Sequence, residues 1–353
     1  MPFLYVAAFL SLLIFAEEKN RPAGFDFSGL EKFQQVMSLL EKDAEPSPEM
    51  WEKLFASPGY AALTRSEFSP EFFKNMFRLA FMPSRSDDLA QYLSEIKEWQ
   101  KAMLEHYLKV KKNWREIHAK IEKIKKSHTA KLALKRALEY LPKLDAVECP
   151  PVAFVIFAND ARGYSPVVID AVRAIESDGE LEDLLAHEFH HHLRNKLLSF
   201  DLDRVEFGDE SVIWVLNQLH CEGIADLISA KSLFKGKEFF KSEYYLAYIK
   251  SDSIIHQIDA IFVQISNSPS QGETLGLELK KILPQSGHPT GYYMAKTILE
   301  QKGKGELIKG VGNPFEFIEL YQRAATKRGR KTALFSEKTL EFIRNLEKKY
   351  IKE

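Results

Sequence analysis

From Phe25 to about Pro142 the apolar residues recur at three- and four-residue spacing, interrupted by Pro46, Pro48, Pro58-Gly59, Pro70 and Pro83. That pattern predicts a series of helices. Ser47-Pro48-Glu49 and Ser69-Pro70-Glu71 read as helix starts, each a capping hydroxyl followed by proline in the first turn. Regular apolar positions at Leu104, Leu108, Ile117, Ile121 and Ile124 predict one long amphipathic helix over residues 101–140. After Pro150-Pro151 the period changes. Val152–Phe157 is a β-rich run, followed by a loop containing Gly163 and a second run, Val167–Val172. The simplest parse is two strands and then a helix that begins near Ser177-Asp178 and is carried by Leu181, Leu184, Leu185 and Leu193. Residues 209–234 predict another helix with Gly223 inside it, and the remainder to Glu353 reads mostly helical. The expected fold class is α+β, predominantly helical, with a short sheet; no internal repeat or low-complexity tract interrupts it.

Composition narrows the picture. The 353 residues are 45% apolar and 28% charged with 25 Phe, enough to bury a sizeable core and unlike a disordered or coiled-coil chain. Lys+Arg 49 against Asp+Glu 50 gives a net charge of -1, so the chain as a whole has no bias toward nucleic acid or an anionic membrane, and no nucleic-acid partner is expected. Residues 101–140 differ locally, with 12 basic and 4 acidic side chains, a balance of +8. A solvated helix face accounts for that charge; the rival is a module that binds an acidic partner through it. Two cysteines exclude a disulfide framework and a Cys-only zinc site. Phe3–Ala16 is a charge-free apolar run, too short for the ~20 residues of a spanning helix but suited to the apolar region of a signal peptide. It predicts a secreted or extracytoplasmic protein. No Lys or Arg precedes the run, which leaves a cytoplasmic protein with a packed N-terminal helix, or an N-terminal membrane tether, as the alternatives.

His187-Glu188-Phe189-His190-His191 fits H-E-x-x-H. On a helix the first and last histidines lie one turn apart on one face, so both imidazoles can reach one ion, while Glu188 beside it can serve as a general base. A catalytic zinc with three protein ligands needs a further donor from a separate element. Glu222 supplies it, 31 positions after His191, and Asp226 follows one turn along in Glu222-Gly-Ile-Ala-Asp226. Asp226 suits an outer-shell role, because a metal-bound imidazole usually gives its other ring proton to a carboxylate.

At this point the sequence resembles the gluzincins, the thermolysin-like zinc metallopeptidases with H-E-x-x-H, a distal Glu and an Asp four residues later. A narrower resemblance, to bacterial and archaeal families of zinc-dependent peptidases, is carried by Leu184–His191, Glu222–Asp226 and Gly291-Tyr-Tyr-Met-Ala295 over residues 150–300, and more weakly by Trp51–Phe55 and Pro58-Gly-Tyr60. The resemblance implies a zincin-like core at 146–235, between a helical N-terminal region (17–145) and a helical C-terminal region (236–353), with 1–16 as the signal or apolar segment. It implies one Zn2+ per chain on His187, His191 and Glu222, and a peptide or protein substrate. It also implies an edge strand above the active-site helix that pairs with the substrate, for which Val167–Val172 is the candidate. One departure is that thermolysin-like proteins have Asn before the zinc Glu, where this chain has His220-Cys221.

Gluzincins further place a His or Tyr to stabilise the developing oxyanion; His288, Tyr292 and Tyr293 are the candidates, in a loop entering a helix, with Tyr292 favoured because Gly291 before it lets the backbone approach a ligand. The bland alternative is core packing of both tyrosines. His190 and His192 turn roughly 100° off the ligand face and are expected to pack or lie at the surface. His220 does not share a face with Glu222, and His106, His118 and His128 are expected on the surface. Cys149 permits a deformylase-like Cys ligand, but this would leave Glu222 and Asp226 unexplained. The remaining alternative keeps the metal without turnover, as a non-catalytic zincin-like scaffold.

Overall fold

A computed structural model describes residues 24–125, 127, 129–145, 147–176, 180–201, 204–233, 240–329 and 332–351. The apolar run at 1–16, the expected helix start at Ser177-Asp178 and His128 lie outside the described residues. The fold is α+β and predominantly helical, and it divides into two compact units, Met1–Lys131 with Val147–His192 and Leu132–Ala146 with Leu193–Glu353. Among the described residues no helix is long and apolar enough to cross a membrane.

The first unit opens with β1 (Phe25–Asp26), α1 (Ser28–Leu40), α2 (Pro48–Phe55), α3 (Pro58–Ser66), α4 (Pro70–Phe81), α5 (Ser86–Glu95), α6 (Glu98–Ile124) and the first residues of α7 (Thr129–Ala137). Both serine–proline starts behave as the sequence predicts: Ser47 Oγ accepts the amide of Met50 and Ser69 Oγ that of Phe72. The single helix expected over 101–140 is instead two, because α6 ends at Ile124 and α7 begins at Thr129. The abundant phenylalanines build the core: Phe33 packs edge-on to Phe77 at 5.2 Å and Phe77 to Tyr107 at 5.0 Å.

The sheet that follows comprises β2 (Val152–Val155), β3 (Ala161–Arg162) and β4 (Val167–Asp170), and it recruits β1 to give the order β1-β2-β4-β3. β1, β2 and β4 are parallel, and β3 runs antiparallel to β4. Every residue of β2 and β4 is buried, which explains why both read as continuous apolar runs. Val167–Val172 is therefore not the edge strand. The two-residue β3 takes that place, and the run ends as strand at Asp170, where α8 (Ala171–Glu176) begins. Gly59 brings α3 onto β2, for a Cβ there would lie 2.6 Å from Val155 Cγ1, and Tyr60 donates to the Ile156 carbonyl at 2.8 Å. His106, expected at the surface, is buried, with Nε2 donating to Asp170 Oδ2 at 2.9 Å. α9 (Leu181–Asn195) carries the unit to its boundary.

The second unit is helical: α10 (Glu210–Leu233), α11 (Glu243–Tyr248), α12 (Ser251–Asn267), α13 (Gly272–Ile282), α14 (His288–Lys302), α15 (Lys304–Lys309), α16 (Pro314–Arg328) and α17 (Glu337–Tyr350). Leu216, Leu219, Ile258, Met294, Ile298 and Ile318 belong to one buried core. α10 and α14 meet at two glycines. A Cβ on Gly223 would lie 2.4 Å from Gly291 O, and one on Gly291 would lie 2.4 Å from Leu219 O. Gly291 thus serves helix-to-helix approach, not the approach to a ligand that the sequence suggests.

Candidate metal centre

α9 forms because Leu181, Leu185, Phe189 and Leu193 repeat at four residues and are all buried, and Glu182 and Asp183 in its first turn suit the helix dipole. His187 and His191 therefore share a face, with their Nε2 atoms 2.9 Å apart. Two ε-nitrogens turned toward one another from consecutive turns are a ready chelating pair. Glu188, between them in sequence, is also buried.

The loop after β3 lies directly on this turn. A Cβ on Gly163 would be 2.6 Å from His191 Cβ and 3.2 Å from the Glu188 carbonyl, so only glycine allows the approach. His192 Nδ1 donates to the Tyr164 carbonyl at 2.9 Å, and His190 is wholly buried, so both neighbours of the pair do pack. Arg162 fastens the edge strand with a forked contact to Glu67, Nε to Oε1 at 2.5 Å and Nη2 to Oε2 at 3.2 Å, and Tyr164 donates to the same carboxylate. Burial opposes the Arg162 charge, but Asp160 and Glu67 outweigh it and hold the guanidinium ionised. Cys149 directs its thiol to the Ala130 carbonyl at 3.8 Å.

In the second unit Glu222 and Asp226 occupy one face of α10, and His288 at the start of α14 sits against both. Its Nε2 lies 3.2 Å from Glu222 Oε2, and its Nδ1 lies 3.2 Å from each Asp226 oxygen. The Gly223–Gly291 contact sets that closeness, since it brings the first turn of α14 onto the Glu222–Asp226 turn. Tyr244 on α11 donates to Asp226 Oδ2 at 2.7 Å; burial, then the Asp226 charge, pushes its hydroxyl pKa far up. Tyr293 gives its hydroxyl to Asp252 at 2.8 Å, and Tyr292 is buried against Tyr248 with its pKa raised by burial. Cys221 holds its Sγ 3.7 Å from Glu222 Oε1, and burial drives the thiol pKa well up, keeping it protonated.

The available donors, two imidazoles on α9 and a carboxylate on α10, are nitrogen and oxygen ligands of the kind a catalytic zinc takes. A family model described as "Putative zinc dependent peptidase (DUF5700)" matches residues 51–329, about four fifths of the chain. The chain belongs to this family. Its matched region contains both donor sets and His288. No curated protein and no solved structure matches the chain.

Three residues of this family member escape the sequence reading. Tyr244 carries no motif. Arg194, a charged residue near a helix end, reads as solvent-exposed yet is fully buried, with Nη2 donating to His220 Nδ1 at 2.8 Å. Asp170 lies inside a β-rich run and pairs with a histidine 64 positions earlier.

Proposed function

We propose that the chain is a peptidase that hydrolyses peptide bonds with one zinc held by His187, His191 and Glu222. The observation that carries this reading is the His187–His191 pair, whose Nε2 atoms approach to 2.9 Å on one helix face beside a buried Glu188. Zinc, when bound, supplies Lewis acidity that polarises a carbonyl and brings the pKa of water toward about 7. Glu188 takes a proton from the attacking water and returns it to the departing amine, so one carboxylate acts first as base and then as acid.

His288 is the donor this geometry favours for the developing oxyanion. Asp226 anchors its Nδ1 and leaves Nε2 beside Glu222, while Tyr293 has committed its hydroxyl to Asp252. The edge strand β3 is the segment available to pair with an extended substrate, because Arg162 and Glu67 fasten it next to the α9 turn that bears Glu188 and His191. The basic helix fits a solvated face, since Lys109, Lys120 and Lys125 pair with Glu176, Glu116 and Glu122.

The test is metal analysis of purified wild type beside His187→Ala, His191→Ala and Glu222→Ala, with a peptide digest run with and without chelator. One zinc in wild type, its loss in each variant and chelator-sensitive hydrolysis are expected. Full zinc retention in any of the three would remove that residue from the ligand set.

A further inference from the structure

Arg194 lies seven residues after His187 and three after His191, on the same stripe of α9, and none of its surface is exposed. A guanidinium stays charged in a protein and offers five N–H donors. Here Nη2 donates to His220 Nδ1, whereas Nε and Nη1 meet no acceptor among the described residues. His220 stands two residues ahead of Glu222 on α10, equally buried, with its ring 5.0 Å from that of Phe317. Burial draws the Arg194 pKa down, and the nearby Cys221 and Glu222 draw it back up. A buried cation with unfilled donors costs stability, and an apolar side chain of similar size at such a place is often neutral or stabilising. The fold alone gives no reason to keep arginine here. The site does, because each partner stands within three residues of a proposed ligand, Arg194 after His191 on α9 and His220 before Glu222 on α10.

We infer that Arg194 and His220 form a positioning clasp that fixes the register of the helix bearing His187 and His191 against the helix bearing Glu222, so that losing it weakens zinc binding and not the fold. This rests on the zinc reading above. Neither residue is a ligand; each acts through a neighbour.

The experiment uses the full chain with zinc alone as the probe: zinc affinity by competition with a chromogenic chelator, and the thermal midpoint of the metal-free protein, for wild type, Arg194→Met, His220→Phe and the double variant. Each single variant should lose about 10–100-fold in zinc affinity, the size typical of outer-shell changes. The metal-free midpoint should stay level or rise, and the double variant should be no weaker than the worse single one, as expected of residues acting as one unit. Affinity within threefold of wild type in Arg194→Met overturns the clasp while leaving the zinc reading intact. A midpoint that falls in step with affinity, or a variant that does not fold, makes Arg194 a structural group and overturns it equally. A wild type that takes up no zinc removes both.

Discussion

Replacing Gly223 by alanine should damage the site through the backbone. The new Cβ would lie 2.4 Å from Gly291 O and 2.5 Å from Gly291 C, where an ordinary contact begins at 3.4 Å. Backbone atoms cannot swing aside, so α10 and α14 must part by about 1 Å. Overpacking of this kind costs about 1–3 kcal/mol, against which alanine returns about 1 kcal/mol of helix propensity. The net loss is about 0–2 kcal/mol. For a unit of this size that lowers Tm by up to about 8 °C. Function should suffer more. His288 sits at 3.2 Å from Glu222 and Asp226, and a 1 Å separation takes those contacts beyond hydrogen-bond reach. Misplacement of that size can cost about 100-fold in kcat/KM. Thermal melts by circular dichroism and peptide-hydrolysis kinetics provide the readout, with Gly305→Ala as the control: Gly305 lies in α15 with nothing among the described residues within 4 Å of its added Cβ, so that change should be neutral or slightly stabilising. If Gly223→Ala matched Gly305→Ala in both Tm and kcat/KM, the account of how α14 is held against α10 would be wrong.

Two further outcomes follow from the same geometry. His106→Ala removes one donor from the fully buried Asp170, which also accepts the amides of Phe157 and Val172; urea unfolding should show a loss of about 1.5–3 kcal/mol, and a loss under 0.5 kcal/mol would contradict the pairing. At full zinc occupancy His288→Ala should lower kcat by about 10²–10³, with Tyr292→Phe and Tyr293→Phe within a few-fold of wild type; the reverse order would return the oxyanion role to a tyrosine.

How far the sequence carries depends on how local each feature is. The His187–His191 pair, the Glu222–Asp226 turn and the two serine–proline helix starts were legible because helical periodicity and capping need only neighbouring residues. β3 was not legible, since two residues cannot show an alternation, and its absence left β4 to be taken for the edge. The break between α6 and α7 falls in the polar run Lys125-Lys126-Ser127-His128-Thr129, which holds no proline or glycine to mark a helix stop. His106 looked like one more polar residue on a basic helix, because its partner Asp170 comes from a strand far along the chain. Gly223 and Gly291 each make sense only once the other helix is known. The buried Arg194 ran against the rule that charges stay in water, and departures of that sort gather where stability is traded for a site.

The most direct measurement compares zinc content and peptide hydrolysis in wild type and Glu188→Gln, because the amide keeps the shape of the side chain but cannot accept the proton from water. One zinc per chain in both, with chelator-sensitive hydrolysis in wild type and none above background in the variant, is the predicted result. Wild-type hydrolysis by Glu188→Gln, or a wild type that cleaves peptide with no zinc bound, would contradict it.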